Sequence, residues 1–244
     1  NKFDLEPFET DITEQTKHVI NSGGLTYDIF WKEYKHKLSF YTSAQHVDRN
    51  SYYGAQQDPN AYGKTKDLTF VGGGMYVGNF DKVLFSPATF TAGLEYQHNN
   101  MLDIMAGYNR DLEQKVRIAS AFFQNEWKMN DFTLLAGFRL DDHNLIDNLI
   151  FSPRVNMLYK PSDAFQGRLT WSTGFRAPQA YDEDLHITAV GGEGVLIHLA
   201  DGLKPEKSNS FSGSVDLSGQ IGHFQTNLLI EGFYTSLKDV FYLQ

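Results

Sequence analysis

The sequence predicts an all-β protein, namely the wall of an antiparallel, up-and-down β-barrel that crosses a membrane. Apolar and polar residues alternate with a period of two along most of the 244 residues. The connections between the predicted strands alternate between short and long, and aromatic residues flank the short ones. These three patterns are typical of outer-membrane barrels, which have short periplasmic turns, long external loops and aromatic girdles.

About ten strands are predicted from the alternation. In the eighth, Leu169, Trp171 and Phe175 fall on one side, and Thr170 and Ser172 fall on the other. Because successive side chains of a strand point to opposite faces, each strand has an apolar face and a polar face. The predicted strands cover residues 16–31, 36–47, 67–79, 88–98, 114–128, 132–142, 152–160, 165–175, 207–218 and 222–236.

Short and long connections alternate along the whole chain. A soluble sandwich with Greek-key links has no need of this regularity. Within the third strand, Gly72, Gly73 and Gly74 are predicted to form a bulge or bend. The short connections are 32–35, 129–131, 161–164 and 219–221, with a middling one at 81–87, and the long ones are 48–66, 99–113, 142–151 and 177–206.

Aromatic residues near the short connections form the expected girdle at one membrane interface. No apolar run approaches the roughly 20 residues of a membrane helix, so a membrane location requires a barrel. The net charge of −9 does not suit a nucleic-acid partner, and the lack of cysteine excludes disulfides and zinc-thiolate sites. The girdle residues are Trp31, Tyr34, Phe80, Phe85, Trp127, Phe132, Tyr159, Phe165 and Phe224.

Two short blocks give the clearest functional signal. The first, TGFRAP, ends the eighth strand and includes Phe175, Arg176, Ala177 and Pro178. The second, LKPEKS, opens the ninth strand and includes Leu203, Lys204, Pro205 and Glu206. In this order, at the two ends of one external loop, the blocks resemble those of the TonB-dependent receptors of Gram-negative outer membranes.

The resemblance implies a barrel of about 22 strands, filled by an N-terminal plug. Such a receptor takes up a large, scarce solute, for example an iron-siderophore, haem or cobalamin, and catalyses no reaction. Its expected partners are the solute, outer-membrane lipid and a TonB-type periplasmic coupling protein, which the plug engages. We expect residues 1–244 to be part of such a barrel without its plug, in the outer membrane and without a cofactor.

The same resemblance draws attention to the long external loop. Arg176 and Glu206 stand at its two ends, and we predict an ion pair that clamps its base. Haem-uptake members of the family carry a histidine between the two blocks, although the lead-in to the second block differs here. The carboxylates could instead bind Ca²⁺, or the loop could be solvated without a ligand. The candidate ligand-binding residues are Tyr181, Asp182, Asp184, His186 and His198.

Two alternatives remain open at this point. One is a soluble β-barrel or sandwich that binds a small ligand or carbohydrate. The other is a ten-stranded outer-membrane protease, for which Asp141, Asp142 and His143 would be candidates. Adjacent residues of a strand point to opposite faces, so at most one of the two carboxylates can face the lumen.

Overall fold

The described residues form one sheet of ten antiparallel strands, which pair in the order of the sequence. The structure is a computed structural model that describes residues 12–55, 58, 60–179 and 199–242. No helix among these residues is long and apolar enough to cross a membrane. The strands are β1 (Ile12–Trp31), β2 (His36–Ala55), β3 (Tyr62–Val83), β4 (Ser86–Met105), β5 (Arg110–Met129), β6 (Phe132–His143), β7 (Ile150–Ser162), β8 (Phe165–Arg176), β9 (Glu206–Ile221) and β10 (Phe224–Lys238), and a short 3-10 helix (Ala106–Tyr108) joins β4 to β5.

The prediction of an all-β, up-and-down wall is confirmed, and a two-sheet sandwich does not describe this topology. Within the described ranges, β1 pairs only with β2 and β10 pairs only with β9. The sheet therefore has two edges and does not close on itself.

The first two predicted long connections are wrong in extent. Residues 48–55 and 62–66 belong to β2 and β3, and Asn50 pairs with Lys64 there. Likewise β4 continues to Met105 and β5 begins at Arg110. Around Asn50 and Lys64 both faces of β2 and β3 are polar, whereas the end of β4 carries apolar residues on both faces, namely Met101 and Met105 on one and Leu102 and Ile104 on the other. In both cases the alternation fades from the sequence while the backbone pairing continues.

Turns lie at or beside all five predicted connections, but only 32–35 has the predicted bounds. The others are 84–85, 130–131, 163–164 and 222–223, and the last lies beyond the predicted 219–221 because β9 continues to Ile221. Between β3 and β4 only Leu84 and Phe85 remain outside the strands, because β3 runs on to Val83. Two-residue hairpin turns favour positive φ, and Leu84 and Asn130 adopt φ values of 63° and 41°. All five turns lie at the same end of the sheet, which we call the turn end.

The bulge predicted at the three glycines of β3 is wrong. Gly73 pairs in continuous register with Tyr41 on β2 and with Glu95 on β4. The irregular pairing lies nearer the turn, between Phe80 and Val83. A Cβ at Gly73 would lie 2.6 Å from the Tyr41 hydroxyl oxygen, so this glycine makes room for the tyrosine ring.

One face of the sheet is polar. Residues that pair across neighbouring strands lie on the same face, so the strand register identifies the residues of this face. A continuous row of such partners runs through Tyr41, Gly73, Glu95, Ser120 and Asp141. In a barrel wall this polar face lines the lumen. We call it the lumen face.

The opposite face is apolar and open to its surroundings. Phe40, Leu94 and Leu169 on this face are 50%, 67% and 63% exposed. Soluble proteins rarely leave such a continuous apolar surface uncovered, whereas a barrel presents one to lipid. We call it the outer face.

Aromatic rings pack together at the turn end of the sheet, as predicted. The ring centroids of Phe132 and Tyr159 lie 4.4 Å apart, and those of Tyr159 and Phe165 lie 6.1 Å apart. Further along, Phe85 stacks on Trp127 at 5.8 Å. The rings therefore lie at one height, as a girdle at a membrane interface requires.

Candidate functional site

The base of the long external loop is held by a charged contact. Arg176 Nε donates a hydrogen bond to Glu206 Oε2 at 2.8 Å, which joins the end of β8 to the start of β9. The backbone N–H of Phe241 donates to Glu206 Oε1 at 2.5 Å. The Arg176 guanidinium also lies 5.0 Å from the centre of the Phe241 ring.

The predicted ion pair is thus present, and its role as a clamp stays a prediction. The hydrogen bond from Arg176 lowers the pKa of Glu206, and the backbone bond from Phe241 acts in the same direction. Glu206 is only 8% exposed. A buried carboxylate needs such partners, so these contacts keep Glu206 ionised.

The other residues of the two blocks surround this contact. Ala177 is buried with 5% exposure, whereas Leu203 is 39% exposed. Pro178 is buried and Lys204 is exposed. The end of the TGFRAP block therefore packs against the wall, and the LKPEKS block leads the chain back to β9 along the surface.

A charged network occupies the middle of the lumen face. Glu95 accepts hydrogen bonds from Tyr41 Oη at 2.6 Å and from Arg139 Nη2 at 2.9 Å. Arg139 Nε also donates to Asp141 Oδ1 at 2.7 Å, and Ser120 Oγ donates to the same oxygen at 2.6 Å. The network ties β2, β4, β5 and β6 together across the lumen face.

Sequence reasoning missed this network. Arg139 lies 44 residues after Glu95, and only the strand register brings the two together. The available signal was that Glu95, Arg139 and Asp141 are isolated charges on the polar face of their strands. Such charges need partners in the wall or the lumen.

A second charged group lies farther from the turn end. Asp103 is 3% exposed and accepts a hydrogen bond from Arg110 Nε at 2.6 Å. Arg49 Nη2 lies 3.4 Å from Asp103, and Arg49 Nε donates to Thr65 Oγ1 at 2.9 Å. Thr65 Oγ1 in turn donates to Asp103. This group borders a cavity of about 480 Å³ on the lumen face.

The arrangement around Asp141, Asp142 and His143 does not form a hydrolytic centre. Asp141 is buried on the lumen face and accepts hydrogen bonds from Arg139 and Ser120, while Asp142 is exposed on the other face. His143 Nδ1 accepts a hydrogen bond from the backbone N–H of Leu145 at 3.1 Å. Asp141 and His143 are therefore both occupied by contacts within the wall.

The candidate ligand-binding residues Tyr181, Asp182, Asp184, His186 and His198 lie outside the described residues, and their roles stay predictions. Among the residues that the structure does describe, no group of three or more His, Cys, Asp or Glu side chains could hold a metal ion.

Residues 4–244 match the family model described as "TonB dependent receptor-like, beta-barrel". No curated protein matches the chain.

Several solved structures share the fold. The siderophore receptor PirA from Pseudomonas aeruginosa superposes with a TM-score of 0.72 and 17% identity, over 92% of this chain and 40% of that chain. The iron transporter FrpB from Neisseria meningitidis superposes with a TM-score of 0.67 and 15% identity, over 92% of this chain and 38% of that chain. A variant of the ferric enterobactin receptor PfeA from Pseudomonas aeruginosa, in complex with enterobactin, superposes with a TM-score of 0.63 and 18% identity. The superposition covers 83% of this chain and 33% of that chain. The chain spans 40% or less of each of these structures.

Proposed function

The chain belongs to the family of TonB-dependent receptor-like β-barrels, and we propose that it forms part of the barrel of a receptor for active transport. The transported solute is large and scarce: an iron-siderophore, haem or cobalamin. The structures with the same fold include a siderophore receptor and an iron transporter. Among the three candidate solutes, this favours an iron chelate. The family is one of outer-membrane receptors and not of enzymes, in agreement with the predicted location and the predicted lack of catalysis.

The observation that carries the proposal is the difference between the two faces of the sheet. The outer face carries exposed apolar residues from the aromatic girdle upward, such as Leu94 and Leu169. The lumen face carries the networks around Glu95 and Asp103. A wall with lipid on one side and a polar passage on the other is what solute transport across an outer membrane requires.

Energy for transport would come from outside the barrel. In the proposed receptor a plug fills the lumen, and a TonB-type protein in the periplasm acts on the plug. The barrel wall itself contributes binding contacts on the lumen face and a fixed frame for the external loops. External loops carry most of the specificity in such scaffolds.

The proposal is tested on the full-length receptor that carries this segment, expressed in iron-starved cells that lack their own siderophore receptors. We expect uptake of radiolabelled ferric siderophore that stops when the proton gradient is dissipated or the coupling protein is deleted. Uptake that continues without the gradient would indicate a passive pore, and no uptake of ferric siderophore, haem or cobalamin would refute a transport role.

The loop residues Tyr181, Asp182, Asp184, His186 and His198 would contact the solute from the external side. If the solute is haem, an imidazole of this loop would bind its iron. The Soret spectrum of the haem-loaded receptor would then shift in His186→Ala or His198→Ala. His223→Ala, which changes a histidine in the turn between β9 and β10, is the matched control and should leave the spectrum unchanged.

A further inference from the structure

A cavity of about 480 Å³ lies on the lumen face, on the half of the sheet that is remote from the turn end. Strands β1 to β5 line it, with His18 as the contribution of β1, and Gln179 reaches it from the start of the long loop. Gln114 Nε2 donates a hydrogen bond to Gln179 Oε1 at 3.1 Å, which holds the loop start over the cavity. Ligand sites commonly have volumes in this range, from about 300 to 1,000 Å³.

The charges of Arg49 and Asp67, which line this cavity, and of Asp103 and Arg110 next to them are balanced within the wall. Arg49 and Arg110 are both paired with Asp103. Asp67 accepts hydrogen bonds from Asn99 and Thr69. The two cations and two anions cancel, so an anionic solute would meet no surplus positive charge among these groups.

The remaining polar lining consists of four side-chain amides, the Thr65 hydroxyl and the His18 imidazole. The Gln97 Nε2 group donates to Glu95 at 2.8 Å, and Asn99 Nδ2 donates to Thr69 at 2.9 Å. Among the described residues, no hydrogen bond reaches the carbonyl oxygens of Gln97 and Asn99 or leaves the amide nitrogen of Gln179, so these groups can accept from and donate to a solute. Val116 and Met101 line the same cavity with apolar surface.

We infer that this cavity takes a metal chelate of zero net charge that presents amide, hydroxyl or carbonyl groups, such as a ferric trihydroxamate. Burial of a charged chelate here would lose hydration without gaining a counter-charge. A neutral chelate loses less hydration, and the amides replace its hydrogen bonds to water. This inference rests on the proposed function, because it names the class of solute for that receptor.

The test measures binding of two iron(III) probes to the full-length receptor in detergent. One probe is the complex of ferrichrome, an uncharged trihydroxamate, and the other is the trianionic complex of enterobactin. We expect the neutral complex to bind at least about ten-fold more tightly, with an affinity that is unchanged between low and high salt.

Asp67→Asn removes one anion from the cavity and should shift the preference by about ten-fold towards the trianion. Asp216→Asn is a matched control, since Asn227 Nδ2 donates to Asp216 and to Ser218, as Asn99 donates to Asp67 and Thr69. Asp216 lies on the lumen face near the turn end, and the control should keep the wild-type preference.

Three outcomes separate this inference from the proposed function. A wild-type receptor that prefers the trianionic complex overturns the inference and leaves the transport role standing. An Asp67→Asn receptor with the preference of the Asp216→Asn control overturns the assignment of the site to this cavity. A receptor that binds neither probe and takes up no ferric siderophore, haem or cobalamin refutes the proposed function itself.

Discussion

The contact between Arg176 and Glu206 allows a quantitative prediction about the base of the long loop. The pair is joined at 2.8 Å, with the Glu206 side chain 10% exposed and the Arg176 side chain 44% exposed. A hydrogen bond to a charged group contributes about 1.5–3 kcal/mol when it is well protected. An exposed pair contributes about 0–1 kcal/mol. Because Arg176 is partly solvated, we expect a coupling free energy of about 1 kcal/mol.

A double-mutant cycle of Arg176→Gln and Glu206→Gln measures this coupling. Glu206→Gln keeps an acceptor oxygen for the backbone N–H of Phe241, so the cycle isolates the charged contact. The readout is the free energy of unfolding of the full-length receptor by urea in detergent. Lys160 and Asp163 form an exposed i,i+3 pair at 3.1 Å, and the same cycle on that pair should give a coupling near zero.

The coupling should also depend on pH in a defined direction. The hydrogen bond from Arg176 lowers the pKa of Glu206 below its ordinary value of about 4.5. A carboxyl group with a lowered pKa stabilises the folded state fully above the ordinary pKa and loses that effect as the pH falls through the lowered pKa. A coupling equal to that of the Lys160–Asp163 pair, or one that grows on acidification, would refute the clamp.

Three further predictions concern the wall. Arg139→Gln leaves two carboxylates without their cation and should lower the free energy of unfolding by about 3 kcal/mol. Glu95→Gln should lower it by less, and a larger loss for Glu95→Gln in urea unfolding would contradict the network. Asn125 on the outer face is 2% exposed with neither amide atom hydrogen-bonded, so Asn125→Leu should raise the thermal midpoint, and a lower midpoint would show a hidden partner. Gly93→Ala places a Cβ 2.7 Å from the Gly74 carbonyl oxygen, whereas Gly232→Ala meets nothing within 4 Å; only the former should destabilise, and equal midpoints would contradict the packing.

The number and order of the strands could be predicted because each membrane-crossing segment alternates strictly. Leu169, Trp171 and their polar neighbours are an example, since one face must meet lipid and the other water. The ends of β2 to β5 could not be predicted in this way. Residues such as Asn50 and Lys64 lie where both faces are polar, and pairing there follows from the register of the neighbouring strands.

The ion pair of Arg176 and Glu206 could be predicted because its residues end and begin consecutive strands around one loop. The Glu95–Arg139 contact could not, because it spans β5 and depends on the register of three strands. The role of Gly73 was also misjudged from the sequence. Its neighbours are set by pairing with β2 and β4, and a glycine in a strand can mark either a bulge or a close approach of another group.

The balance of charges on the lumen face has a consequence for the proposed transport. Glu95 and Asp103 are each paired with an arginine of the wall itself, so neither carboxylate needs a solute as its partner. At the cavity inferred above, a solute would bind through shape and through hydrogen bonds to fixed amides, each of which is modest in free energy. A small displacement of the loop start at Gln179 would misalign these hydrogen bonds and weaken binding without leaving a buried charge unpaired. A wall of this kind suits a receptor that must both capture its solute and release it, because a tightly paired buried ion would be costly to separate.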